Sequence, residues 1–150
     1  MKKYIKINEK VEKMSDSLCL SVPSKPEYVS VVRLTASAIA GRMGFNIEQI
    51  EDIKVAIAEA CTNVIKHGVC EKKDNYLIDF DVDEEKMIII IKDQGNGFCS
   101  QEICEPDLTC PREGGLGIFI IKSLMDEVEI KSAIGNGTTI RMIKYLGDDF

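Results

Sequence analysis

The spacing of apolar residues begins with a period of two and changes to helical spacing after Pro23. Residues 17–22, SLCLSV, alternate polar and apolar positions as a half-buried strand does, and residues 3–7 are a further candidate strand. Ser24 and Glu27 have the spacing of a capping box, which predicts a helix that runs to Gly44. The residues predicted on its core face are Tyr28, Val31, Val32, Thr35, Ala38, Ile39 and Met43.

A second helix is predicted from Asn46 to about His67, because Asn46 is followed by Gln49 at capping-box spacing. Its apolar stripe consists of Ile47, Ile50, Ile53, Ile57, Cys61 and Val64. On the opposite side, Glu59, Asn63 and His67 recur every four residues. Side chains four apart share one helical face, so a carboxylate, an amide and an imidazole follow one edge.

After the second predicted helix, the spacing of apolar residues returns to a period of two. Residues 76–82 alternate, residues 83–86 form a turn, and residues 87–92 are an almost continuous apolar run. This pattern predicts an antiparallel hairpin whose second strand is buried.

The last third of the chain predicts a loop, a helix and a second hairpin. Residues 99–113 have no clear periodicity, GGLG leads into a helix over 116–125, and strands over 127–133 and 138–144 flank a Gly-Asn-Gly turn. Because the strands come in antiparallel pairs, the predicted fold class is α+β. We expect a two-layer α/β sandwich, a mainly antiparallel sheet covered on one face by about three helices, formed as one domain by residues 1–150.

Composition limits the classes of function. The net charge of -6 argues against nucleic acid as a direct ligand, because nucleic-acid binders usually have a basic surface. The N-terminus lacks the apolar run of a signal peptide, and no apolar run is long enough to cross a membrane, so a cytoplasmic location is expected. The six cysteines are therefore expected to be free thiols, with Cys19 and Cys61 in the core.

Three glycine clusters are candidate ligand-binding segments: Asp93-x-Gly95-x-Gly97, Gly114-Gly115-x-Gly117 and Gly135-x-Gly137-Thr138-Thr139. Each is also explained by turn chemistry alone. The second opens a helix, where free backbone amides attract anions such as phosphate. Its spacing fits neither a Walker loop nor a dinucleotide fingerprint.

Two carboxylates have candidate roles beside these glycines. Asp93 ends the apolar strand, where its carboxylate could accept a hydrogen bond from an adenine amino group or could cap the turn. Glu59 could act as a general base while Asn63 binds Mg²⁺, since Mg²⁺ accepts one or two protein oxygens. The alternative for this pair is a solvated helix face.

Taken in order, EACTNVIKH, DQGNGF, GGLGIF and GNGTT resemble the four ATP-binding segments of the GHKL superfamily, which has the Bergerat fold. Within it, IEDIKVAIAEACTNVIKHG and EGGLGIFIIKSLMDEVEI are similar to the anti-sigma factor serine/threonine kinases of the RsbW and SpoIIAB type. The resemblance covers residues 17–145. It implies ATP and Mg²⁺ as cofactors.

The resemblance also implies roles for individual residues. Glu59 is the expected catalytic base, and Asn63 the expected Mg²⁺ ligand. Asp93 is expected to bind adenine. The other residues expected to contact the nucleotide are Gly95, Gly97, Arg112, Gly114, Gly115, Leu116, Gly117 and Thr139, and Arg33 is expected to contact a protein partner.

The implied function is that of a homodimeric switch in stress response or sporulation, acting through transcription. It sequesters a sigma factor and phosphorylates a serine of an anti-sigma antagonist with a STAS domain. The alternative is a module of the same fold that binds ATP or ADP and regulates a partner without transferring phosphate. The predicted loop over residues 99–113 is shorter than the nucleotide lid of the best-studied members and contains three cysteines.

Overall fold

The computed structural model describes residues 4–7, 10–13, 15–68, 75–93, 113–133 and 137–147. The main sheet has five antiparallel strands in the order β3-β4-β5-β7-β6. They are β3 (Asp16–Pro23), β4 (Asn75–Val82), β5 (Lys86–Asp93), β6 (Glu127–Ala133) and β7 (Gly137–Tyr145). The predicted α+β sandwich is confirmed.

Strands β1 (Tyr4–Ile7) and β2 (Lys10–Lys13) pair with each other in a separate two-stranded sheet. The sequence analysis predicted the first of them and missed the second. The three helices are α1 (Val29–Met43), α2 (Ile47–Asn63) and α3 (Glu113–Leu124).

Alternation along the strands sends one set of side chains toward the helices. In β4 and β5 this set is buried, apart from the partly buried Val82 at the end of β4, and the last residue of β5 in the set is Asp93. The core contains residues from the helices and from the central strands, among them Val32, Ala36, Ile53, Ile57, Ile78, Phe80, Ile89, Ile91, Ile121, Ile140 and Met142. Because side chains two apart share a face, Asp93 continues the inward row of Ile89 and Ile91.

Helix α1 differs from the prediction at its start and on its core face. A short 3-10 helix, Pro26–Tyr28, precedes it, and no side chain caps α1. The capping box of Ser24 and Glu27 was therefore wrong. The core-facing residues are Val32, Ala36 and Ala40, whereas Tyr28 and Val31 are exposed. The helix ends at Gly44 as predicted, with the left-handed φ of 98° that favours glycine.

Helix α2 begins as the sequence predicts. The side chain of Asn46 accepts a hydrogen bond from the Gln49 amide at 2.8 Å, and the Asn46 amide donates to Gln49 Oε1 at 3.0 Å. The predicted apolar stripe is buried from Ile53 onward, but Ile47 is 80% exposed. Five residues of π-helix, Val64–Gly68, follow α2, so the regular helix stops before the predicted end at His67.

Helix α3 starts at Glu113, three residues before the predicted start. Its last carbonyl, that of Leu124, accepts a hydrogen bond of 2.6 Å from Nζ of Lys144 on β7. The same ammonium lies 3.9 Å from Oδ2 of Asp52 on α2. One nearly buried cation thus connects both helices with the central sheet.

Cys61 is buried in the core as predicted, but Cys19 is exposed on the edge strand β3, which corrects the expectation that it fills the core. None of the helices in the described parts of the chain has the length and apolar character required to cross a lipid bilayer.

Candidate active site

The junction of α2 and α3 brings the predicted base against a glycine. The two helices pack on each other, and a Cβ atom added at Gly117 would lie 3.0 Å from Oε2 of Glu59. Any side chain at position 117 would crowd this carboxylate. Glycine therefore allows the close approach of Glu59. Gly117 itself lies in the second turn of α3 rather than at its first amides.

Asn63 ends α2 one turn after Glu59, and its side chain is only 5% exposed. Its Nδ2 atom is buried without a hydrogen-bond partner among the described residues. Burial of a polar group without a partner costs about 1–3 kcal/mol, so this amide is available for a hydrogen bond with water or with a ligand. The π-helix that follows contacts β7, and such turns occur frequently at functional sites.

Asp93 lies at the end of β5, where its side chain is 4% exposed and turned toward the helices. Its partner in the ladder is Thr138 on β7, which is 1% exposed. Thr138 Oγ1 lies 2.9 Å from the hydroxyl of Ser132. A carboxylate and a hydroxyl thus stand side by side on the helix-covered face.

The predicted nucleotide contact Thr139 pairs with Lys92 and Lys131 in the ladder. Its neighbours Thr138 and Ile140 point inward, so Thr139 points to the opposite face of the sheet from Asp93. Thr138, which the sequence analysis did not select, is the residue of this pair that lies beside Asp93 on the helix-covered face. The alternation of the inward residues Ile140 and Met142 was the signal that could have identified it.

The remaining predicted residues fall into three groups. Gly114, Gly115 and Leu116 lie in the first turn of α3, with Gly115 buried and Leu116 53% exposed. Arg33 is exposed on α1, on a separate helix. The predicted residues that lie outside the described ranges are Gly95, Gly97 and Arg112. His67 lies in the π-helix, and its side chain lies outside the described residues.

Two weak acids, Cys61 on α2 and Tyr76 on β4, stay neutral in the core. Burial raises the pKa of the Cys61 thiol to about 12, and a weaker opposing effect comes from Tyr76. Burial, followed by the neighbouring Cys61, also raises the pKa of the Tyr76 hydroxyl. This hydroxyl lies beside the thiol without a hydrogen bond of regular geometry to any described residue. These two groups therefore carry no charge at neutral pH.

The arrangement has four chemical capacities. The Glu59 carboxylate can accept a proton from a hydroxyl group that approaches the α2–α3 junction. The side-chain oxygen of Asn63 is a ligand of the type that Mg²⁺ prefers. The buried carboxylate of Asp93 can accept a hydrogen bond from an exocyclic amino group. The first turn of α3 offers backbone N–H groups to an anion.

Comparison with known proteins gives consistent results. Residues 22–144 match the family model described as the histidine kinase-like ATPase domain. Serine-protein kinase RsbW of Bacillus subtilis is 38% identical over 144 residues, which are 90% of this chain and 89% of that protein. Serine-protein kinase RsbW of Halalkalibacterium halodurans is 42% identical over 142 residues, covering 89% of this chain and 86% of that protein.

Two solved structures share the fold. The crystal structure of the RsbU and RsbW domains of Rv1364c from Mycobacterium tuberculosis superposes with a TM-score of 0.66 at 16% identity, covering 90% of this chain and 34% of that chain. A histidine kinase domain from Erythrobacter litoralis EL346 gives a TM-score of 0.51 at 17% identity, covering 83% of this chain and 61% of that chain. With its predicted sandwich, its Glu59–Gly117 junction and these relatives, the chain belongs to the RsbW serine-protein kinases of the histidine kinase-like ATPase family.

Proposed function

We propose that this serine-protein kinase binds Mg·ATP between the end of α2, the start of α3 and the paired ends of β5 and β7. The observation that carries the proposal is the contact between the Glu59 carboxylate and Gly117. This contact brings the carboxylate of Glu59 close to the second turn of α3, about one turn after the helix start, where backbone amides can bind phosphate. Phosphoryl transfer depends mainly on positioning and on charge stabilisation, and this junction offers both.

In the proposed mechanism, Glu59 accepts the proton of the acceptor hydroxyl as the γ-phosphoryl group is transferred to that oxygen. Asn63 fits a Mg²⁺ site because its buried amide has an atom without a partner among the described residues. When bound, Mg²⁺ supplies charge neutralisation for the phosphates. The orientation of the amide is an assignment, and a flip exchanges its nitrogen for the oxygen that ligates metals.

Asp93 is proposed to recognise adenine through a hydrogen bond from its amino group. Its burial supports this role, because an almost inaccessible carboxylate requires donors. Thr138 stands beside it on the same face and is proposed to contact the same end of the nucleotide. The amides of Gly114, Gly115 and Leu116 in the first turn of α3 are proposed to bind the phosphates.

The proposed partners are a sigma factor, which the kinase sequesters, and a STAS-domain antagonist, which it phosphorylates on serine. The names of the relatives support the kinase activity, and the exposed Arg33 is available for a protein contact. A homodimer in the cytoplasm is the proposed working form, and transcription in stress or sporulation the proposed output.

Three variants test this function. Glu59→Gln should abolish transfer to the antagonist and keep ATP affinity, whereas a module that only switches on nucleotide binding would regulate its partner normally with this variant. Asn63→Ala should remove the Mg²⁺ dependence of ATP binding, and Asp93→Asn should weaken ATP binding. Titration calorimetry with and without Mg²⁺, together with transfer of radiolabelled phosphate, measures these effects. Wild-type ATP affinity in Asp93→Asn would contradict the adenine assignment.

A further inference from the structure

The inward face of the main sheet changes from apolar to polar at its last row of residues. The strand register places one inward residue of each strand side by side in such a row. The row before the last is entirely apolar and consists of Leu20, Ile78, Ile91, Ile140 and Ile130. The last row begins with Val22 on β3 and continues with Tyr76, Asp93, Thr138 and Ser132. We call these last four residues the polar row.

Tyr76 and Asp93 are neighbours in the polar row. In the register of β4 and β5, Leu77 pairs with Lys92. The next pair of residues in this antiparallel register is Tyr76 and Asp93. The Cβ atoms of such opposite residues are about 4.5–5.5 Å apart. Tyr76 is completely buried and Asp93 is 4% exposed, so both side chains extend into the space beneath the helices.

The hydroxyl of Tyr76 is buried without a hydrogen-bond partner among the described residues. It lies beside the thiol of Cys61, in the last turn of α2, and a thiol is only a weak hydrogen-bonding group. Burial raises the pKa of the Tyr76 hydroxyl, so at neutral pH it keeps its proton. This hydroxyl is therefore available to donate a hydrogen bond to a water or to a neighbouring acceptor.

The carboxylate of Asp93 is the charged acceptor next to Tyr76 in the polar row. A carboxylate has about four sites for hydrogen bonds, so it can accept one from adenine and another from a second donor at the same time. Where a donor and an acceptor are more than about 3.5 Å apart, one bridging water joins them at nearly the enthalpy of a direct bond. A donor on one side of a carboxylate restricts its orientation and stabilises its charge.

We propose that Tyr76 is a positioning residue of the nucleotide site. Its hydroxyl donates a hydrogen bond, through a bridging water, to the carboxylate of Asp93 and holds this carboxylate in place for the amino group of adenine. The inference rests on the proposed role of Asp93 in adenine binding. Tyr76 acts through Asp93 alone, so its effect on affinity depends on the amino group of the base.

A purely structural role of Tyr76 leads to a different expectation. If the hydroxyl served only to fill the core beside Cys61, its loss would act on the packing between α2 and the sheet. Every nucleotide bound at this site would then be affected to the same extent, whether or not its base carries an amino group. The dependence on the amino group therefore separates the two roles.

The test compares Tyr76→Phe with the control Tyr28→Phe. Both variants lose one phenolic oxygen and keep the ring, and Tyr28 is 39% exposed in the 3-10 helix before α1. Each protein is titrated by calorimetry with ATP and with purine riboside triphosphate, in the presence of Mg²⁺. The second nucleotide carries a hydrogen in place of the adenine amino group. Thermal melting without nucleotide verifies that each variant is folded.

We expect the wild type to bind ATP more tightly than purine riboside triphosphate. In Tyr76→Phe, the Kd for ATP should rise about tenfold, as for the loss of a hydrogen bond to a charged group. The Kd for purine riboside triphosphate should stay within about twofold of the wild-type value, because this ligand has no amino group for Asp93 to bind. Tyr28→Phe should leave both Kd values unchanged.

Three results would overturn the inference. An unchanged Kd for ATP in Tyr76→Phe would show that the hydroxyl does not act on Asp93. An equal rise of Kd for both nucleotides would show a structural role, and an equal loss of ATP affinity in Tyr28→Phe would show that the effect is not specific to this position.

The wild type separates this inference from the proposed function. If it binds both nucleotides equally well, Asp93 does not bind the amino group, and the adenine assignment fails together with the role of Tyr76. If the wild type prefers ATP and Tyr76→Phe keeps the same preference and affinity, the adenine assignment stands and only the role of Tyr76 is refuted.

Discussion

The contact between Glu59 and Gly117 leads to a specific prediction. A methyl group added at position 117 should lower the activity without lowering the stability of the protein. In Gly117→Ala, the added Cβ lies 3.0 Å from Oε2 of Glu59, several tenths of an ångström closer than the ordinary contact distance of about 3.5 Å. The α3 backbone is held by its packing, so the carboxylate must move. Displacement of a reacting group by about 1 Å costs about 100-fold in rate, and we expect kcat to fall about tenfold for this smaller shift.

The same substitution should not destabilise the protein. Alanine is favoured over glycine inside a helix by about 0.5–1 kcal/mol. For a chain of 150 residues, this gain corresponds to a rise in Tm of about 1–4 °C. The free-energy cost of moving the Glu59 side chain makes this rise smaller. An equal or higher Tm with a lower kcat is therefore the expected result. Thermal melting and antagonist phosphorylation at saturating Mg·ATP measure the two quantities.

Gly41→Ala is the matched control. Gly41 lies inside α1, and a Cβ added there meets no atom within 4 Å. This variant should gain the same helix propensity and keep full activity. The reasoning is refuted if Gly117→Ala keeps the wild-type kcat, or if Gly41→Ala loses activity to the same extent. A weakened Kd for ATP in Gly117→Ala would instead show that the methyl group obstructs the phosphates.

Three further predictions concern stability. Asn46→Ala removes the hydrogen bond that the Gln49 amide donates to the Asn46 side chain and should cost about 1 kcal/mol. The expected result is a Tm lower by about 2–4 °C with unchanged ATP affinity, and an unchanged Tm would contradict it. Lys144→Met leaves the carbonyl of Leu124 without its charged donor and should lower the free energy of unfolding in urea by about 1.5–3 kcal/mol. An equally stable variant would show that the ammonium of Lys144 does not hold α3 in place. The pKa of the Cys61 thiol is raised in the folded state, so its contribution to stability is complete below pH 9 and is lost as the pH rises toward about 12. Over this range the free energy of unfolding should fall by about 1.4 kcal/mol per pH unit. Cys61→Ala should make the fall less steep, and an equally steep fall would refute the assignment.

Periodicity predicted the architecture well because the sheet obeys simple alternation. Each strand of the main sheet has one covered face, so its inward residues repeat every second position. The Gly-Asn-Gly sequence between β6 and β7 is in addition a strong hairpin signal. Helix α1 was harder to predict. Val31 and Val32 are equally apolar, and only packing decides that Val32 is buried while Val31 faces solvent.

The sequence pointed to candidate residues of the site but not to the contacts between them. The helical spacing of Glu59 and Asn63 places them on one edge, but local sequence cannot show that this edge packs against α3. The role of Gly117 was hidden for the same reason, because a contact between distant segments depends on tertiary packing. Thr138 was missed although its signal is local, since counting back by twos from Ile140 selects Thr138 instead of Thr139.

The buried amide of Asn63 allows a final test of whether this side chain lowers the stability of the protein without ligand and is needed for Mg²⁺ binding. Its Nδ2 has no partner among the described residues, and the side chain is 5% exposed, so the protein without ligand carries a cost of about 1–3 kcal/mol. Asn63→Leu replaces the amide by an apolar group of similar size. Unfolding without nucleotide should therefore require as much urea as in the wild type, or more.

With Mg·ATP, the wild type should be more stable than Asn63→Leu. The wild type gains stability from ligand binding in proportion to the logarithm of ligand concentration over Kd. Asn63→Leu should lose that gain when Mg²⁺ is present, while ADP without Mg²⁺ stabilises both proteins. If the leucine variant is less stable than the wild type without nucleotide, the amide has a structural partner. In that case the unmet hydrogen bond of Asn63 would no longer support a metal site at the end of α2.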